Sequence, residues 1–97
     1  MIVYISGGIT GITDYMQRFV DADNMLHANN KDIETINPAI VNSFMPESFT
    51  HEDYIDICFS MLDKCDAIYM LNGWKNSKGA CMEYGYALAK GMDIYFE

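Results

Sequence analysis

A chain of 97 residues, 51% of them hydrophobic, has apolar material for one core and would bury about 65% of its unfolded surface; it reads as a single domain spanning residues 1–97. A formal net charge of −8 argues against duplex nucleic acid or an anionic membrane as partner, so any anion site must be a local patch. No run of about 18 apolar residues offers a membrane span, and "MIVYISGG" lacks the basic region and long apolar stretch of a secretion signal, so a cytoplasmic protein is expected.

The first segment, Ile2 to Ser6 ("IVYIS"), is β-branched and aromatic and stops at Gly7-Gly8, as a buried parallel strand does. From Asp14 to Asn29 the apolar Tyr15, Phe19, Ala22 and Leu26 share one helical face; Thr13 or Asp14 suits the cap, and Asn29-Asn30 suits a left-handed close. Ile33 to Asn37 predicts a second strand, ended by Pro38. The stretch from Pro38 to Phe49 has no sustained period and reads as a loop with a helical turn, placed to cover a site.

Thr50 and Asp53 are spaced as a capping box for a second helix, with Tyr54, Ile57, Met61 and Cys65 on one face. Asp66 to Leu71 follows as a third strand whose aspartate is read as standing at its mouth. "NGWKNSKG" is a turn-rich loop, "ACMEYGYALAKG" a third helix closed by Gly91, and "MDIYFE" a last strand. This βαβαβαβ order predicts a mostly parallel four-stranded sheet between helices, with ligands bound beyond the carboxyl ends of its strands.

Two loops should meet there, Gly7 to Thr13 and Asn72 to Gly79. The first, with Gly7, Gly8 and Thr10, permits close backbone approach to an anion, although a tight turn alone would also explain its glycines. The second carries Lys75 and Lys78 and no acid. Ser77, with the N–H groups of Lys78 and Gly79, can hold a phosphate or carboxylate at a helix start, a role compatible with simple capping. Glu83 lies further along that helix, near Trp74, Met82, Tyr84 and Tyr86, in surroundings apolar enough to raise its pKa; an exposed helix carboxylate is the plainer alternative. Cys58, Cys65 and Cys81 make an odd, scattered set that fits reduced thiols, and neither His27 nor His51 completes a metal site. Eight methionines and seven tyrosines are more large side chain than a monomer of this size covers easily, so a homo-oligomer is expected.

The stretches "VYISGGITG", "CDAIYML" and "SKGACMEYGYALAKG", in this order, resemble the nucleoside 2-deoxyribosyltransferase-like family and the related 2'-deoxynucleoside 5'-phosphate N-hydrolases, closest to a small uncharacterised bacterial and phage subgroup. The resemblance implies a Rossmann-like or flavodoxin-like three-layer sandwich and attack at C1' of a 2'-deoxyribosyl group. It assigns Glu83 as nucleophile, Asp66 as the group that protonates the base or orients the sugar, and Tyr4 as their neighbour. A serine at position 77 matches the nucleotide hydrolases, with Gly7, Gly8 and Thr10 as the other half of a phosphate cradle and Lys78 and Gly79 beside it. Trp74 is a candidate for stacking on the base or for an interface. A small deoxynucleotide or nucleoside is the implied partner, and no metal or organic cofactor is implied. Gly8 replaces the subgroup's proline and Thr10 the hydrolases' arginine. A non-catalytic nucleotide-binding module and a partner-binding protein with a vestigial site are the competing readings.

Overall fold

A computed structural model describes residues 1–97. The strands are β1 (Ile2–Ser6), β2 (Glu34–Ile36), β3 (Ala67–Met70) and β4 (Asp93–Phe96), and the helices are α1 (Tyr15–Asn29), α2 (Pro38–Ser43), α3 (His51–Leu62) and α4 (Lys78–Lys90). All strand pairs are parallel, in the order β2-β1-β3-β4, with Val3 opposite Ala67 and Ser6 opposite Met70. The architecture is the expected Rossmann-like α/β sandwich.

Strand alternation divides the interior. Val3, Ile5, Tyr69 and Leu71 face α1, where Phe19 and Ala22 close one core. Tyr4, Ile68 and Met70 face the other way, against Leu62 of α3 and Ala80 and Ala87 of α4. The third strand is buried at every position, which explains its lack of hydrophobic alternation.

Local chemistry sets the helix ends. Both bonds of the Thr50/Asp53 capping box form, and Gly91 closes α4 in the left-handed region at φ 72°. Asn30 instead leaves α1 in extended conformation, and Asp14 stands at the N-cap without a side-chain bond. The periodless stretch after β2 contains a true short helix: Asn37 accepts from Ala39 and Ile40 N–H, and Pro38 occupies the first turn, where its missing donor costs nothing. Of the expected face of the second helix, Met61 and Cys65 pack into the core around Tyr4, joined by Cys58, Phe59 and Leu62, while Tyr54 and Ile57 stay outside it.

Candidate active site

The strand order reverses between β1 and β3, whose following helices pack on opposite faces of the sheet, and the crevice opens at their carboxyl ends. The two glycine-bearing loops meet there. A Cβ on Gly7 would stand 2.9 Å from Leu71 Cβ, and one on Gly8 would stand 2.7 Å from Ile12 Cδ1 and 3.5 Å from Ser77 Cβ. Gly7 leaves no room for a side chain, whereas at Gly8 only the movable tip of Ile12 would have to shift.

The loop after β3 is braced from outside the crevice. Arg18 Nη2 donates to the Asn72 carbonyl (2.6 Å), while Asn72 N–H donates to Glu97 Oε1 (2.7 Å), itself 3.8 Å from the same guanidinium nitrogen. Gly73 turns the chain at φ 83°, and a 3₁₀ turn leads into Ser77. Ser77 Oγ accepts from Ala80 N–H at 3.2 Å and so caps α4. The N–H groups of Lys78 and Gly79 belong to the first turn, which has no intrahelical acceptors to offer them.

Glu83 stands nearly two turns into α4 and is only 8% exposed. Tyr4 and Ser6, two residues apart on β1, project from the same side of the strand and both reach it. Tyr4 Oη donates to Glu83 Oε2 at 2.5 Å, and Ser6 Oγ donates to Oε1 at 2.7 Å. Burial pushes the Glu83 carboxyl above its ordinary range, against hydrogen bonds from Tyr4, Ser6 and Cys58 that favour the anion. The Tyr4 phenol is driven well up, first by burial and then by the neighbouring carboxylate, so it stays a proton donor. Burial likewise raises the Cys58 thiol.

These groups line an inner chamber of about 110 Å³, walled by Pro38 and by Tyr54, Ile55 and Phe59 of α3. An outer cleft of about 580 Å³ is lined by Gly8, Thr10, Ser77, Lys78 and Gly79. Thr10, His51, Ser77 and Gly79 border both spaces. The inner space alone is below the roughly 300 Å³ of a small-molecule pocket, and the two together exceed it. The arrangement is a buried carboxylate at the bottom and a serine-capped helix start at the rim. No three His, Cys, Asp or Glu side chains converge as metal ligands.

Tyr4, Glu83, Gly7, Gly8, Thr10, Ser77, Lys78 and Gly79 are thus brought together. Asp66 is not. It precedes β3 at the amino edge of the sheet, where Oδ2 accepts from Ile2 N–H at 2.8 Å. Ile2 and Ser6 are four strand residues apart, about 13 Å, so Asp66 does not share Glu83's chamber. Trp74 is also turned away: its ring packs on Tyr84 at 4.5 Å and Phe96 at 6.2 Å, with Lys75 Nζ 5.8 Å from its centroid. It lines neither space, and neither does Lys75.

Sequence reasoning passed over Ser6, His51, Tyr54 and Cys58. Ser6 could have been found from Tyr4 by the two-residue period of a strand, and Cys58 from Tyr54 by the four-residue helical spacing; His51 had no such signal. The family model described as a domain of unknown function, DUF4406, matches residues 1–96. The chain belongs to this family. No curated protein matches it. No helix is long and apolar enough to cross a membrane.

Proposed function

We propose that the protein cleaves the N-glycosidic bond of a 2'-deoxynucleoside 5'-monophosphate, with hydrolysis favoured over base transfer. One observation carries the proposal: a carboxylate held by two hydroxyl donors at the bottom of a chamber that opens onto a serine-capped helix start. The resemblance to nucleoside 2-deoxyribosyltransferase-like proteins supports the same reading.

In this mechanism Lys78, Ser77 Oγ and the N–H groups of Lys78 and Gly79 bind the 5'-phosphate, with Gly8 and Thr10 on its other side. The ionised Glu83 attacks C1'. The C1'–N bond breaks with its electron pair on the base, which takes a proton from water, and a glycosyl ester on Glu83 remains. The hydroxide left by that water then adds to C1', the ester C1'–O bond breaks with its electron pair on Glu83, and the carboxylate is freed. Tyr4 and Ser6 hold each oxygen of Glu83 so that attack needs no rotamer search. Asp66 has no part.

The position of Asp66 favours a second reading. With it absent, Glu83 is the only Asp or Glu lining either space, so no second carboxyl protonates the leaving base, as a non-catalytic nucleotide-binding module would have it. Chromatography of each deoxynucleoside monophosphate incubated with protein, with and without an acceptor base, separates the readings. Base released by wild type and not by Glu83→Ala establishes hydrolysis, and new nucleotide formed with acceptor establishes transfer. Tight binding with no conversion after a day at high protein concentration leaves the binding module.

Self-association belongs to the same proposal. Phe44 (80% exposed), Phe96 (56%) and Leu88 (55%) leave large apolar side chains in water, and light scattering at rising protein concentration tests whether copies cover them. The three free thiols suit a reducing cytoplasm.

A further inference from the structure

We propose that Asn42 and Cys58 form a positioning relay that holds the Glu83 carboxylate from the side opposite β1. The inference deepens the assignment of Glu83 as the reacting group and rests on that reading. Cys58 projects from α3 into the inner chamber that Glu83 and Tyr4 also line. Asn42, on α2, donates from Nδ2 to Cys58 Sγ at 3.7 Å, a reach suited to sulfur. That is the only hydrogen bond of its side chain, for Asn42 Oδ1 is buried and without a partner.

The donor count gives this arrangement a direction. A thiol has one proton to donate and a weakly accepting sulfur. With the sulfur accepting from Asn42, the S–H is free to turn into the chamber. Tyr4 has already committed its own proton to Glu83 Oε2, so the strongest acceptor left to the thiol is the carboxylate. Glu83 is then held by Tyr4 and Ser6 from β1 and by Cys58 from α3, and the order of donation runs Asn42, Cys58, Glu83. An asparagine with an orphaned acceptor contributes little as core packing; as the anchor that aims a thiol it has a use. The other ionisable groups lining the two spaces are Tyr54 and His51 of α3 and Lys78 of α4, which the test variants leave in place.

The relay is tested by titrating the Glu83 carboxyl by NMR with 13C-carboxyl glutamate, its resonance assigned by loss in Glu83→Gln. In Cys58→Ala and in Asn42→Leu the midpoint is expected to rise by about half to one pH unit, the equivalent of one modest hydrogen bond, and Cys58→Ser is expected to restore it. Asn42→Leu should add no shift in the Cys58→Ala background, because its effect passes through the thiol. An unchanged midpoint in Cys58→Ala, or an equal Asn42→Leu shift with and without Cys58, overturns the relay. The titration needs no turnover. The shift without base release would refute the glycosidic reading alone, and base release without the shift would refute the relay alone.

Discussion

Replacing Glu83 by glutamine removes the ionisable group while keeping its shape, and the consequence for stability has a sign fixed by the site. Burial raises the carboxyl, and the donors Tyr4, Ser6 and Cys58 offset it only in part. A carboxyl whose folded pKa lies above its unfolded one retains a proton that the unfolded chain has already lost. Stability therefore falls as pH climbs from the ordinary glutamate range to the raised value, and this group's contribution is flat on either side. Within that window the loss approaches about 1.4 kcal/mol per pH unit. For a domain near 100 residues this is roughly 5–10 °C of Tm per pH unit. Glutamine can accept from one hydroxyl and donate to the other, which need only rotate its proton. Thermal unfolding followed by circular dichroism from pH 4 to 9 should show Glu83→Gln gaining on wild type with rising pH, then levelling. A difference independent of pH, or wild type gaining on the variant, would mean that the hydrogen bonds outweigh burial, and would refute the reasoning.

Tyr4→Phe keeps the buried ring and removes a charge-assisted donor worth about 1.5–3 kcal/mol, so kcat/KM for base release should fall roughly 10- to 150-fold, measured under subsaturating substrate. Ser77→Asp preserves a good N-cap and therefore the stability to within about 0.5 kcal/mol, yet places a negative charge at the rim; calorimetry should show deoxynucleotide affinity falling at least about tenfold, with less change for the free nucleoside. Asp66→Ala deletes the bond to Ile2 N–H and should cost about 1 kcal/mol in denaturant unfolding while leaving nucleotide affinity unchanged, since it acts at the far edge of the sheet.

Local rules carried most of the fold into the sequence. A strand of "IVYIS" ended by paired glycines, the Thr50/Asp53 box and Gly91 each state their conformation within a few residues. Ser77 and Glu83 stood out as candidates from their own loop and helix, whereas Tyr4 entered only through the family resemblance, because nothing in the spacing of Tyr4 and Glu83 shows that they touch. Asp66 misled because adjacency to a strand does not say which end of it faces the crevice; in parallel sheets the residue before a strand lies on the wrong side. Trp74 misled because it lies in the right loop with its ring directed at Tyr84 and Phe96, a choice made by tertiary packing. The α3 wall was hidden for a similar reason: which side chains of a helix meet a cavity depends on tertiary packing, and here Tyr54, Ile55, Cys58 and Phe59 line the chamber while Met61 and Leu62 belong to the core.

Ser77, the proposed phosphate ligand, and Glu83, the proposed nucleophile, lie on a single helix and its cap. Ser77 and Glu83 are six residues apart, a rise of about 9 Å along a rod that neither a loop movement nor a side-chain swing shortens. The site therefore works as a gauge. A molecule satisfies both ends only if its charged group and its reactive carbon are separated by the span that α4 dictates, so selection among ligands falls first on length and only then on the identity of the base.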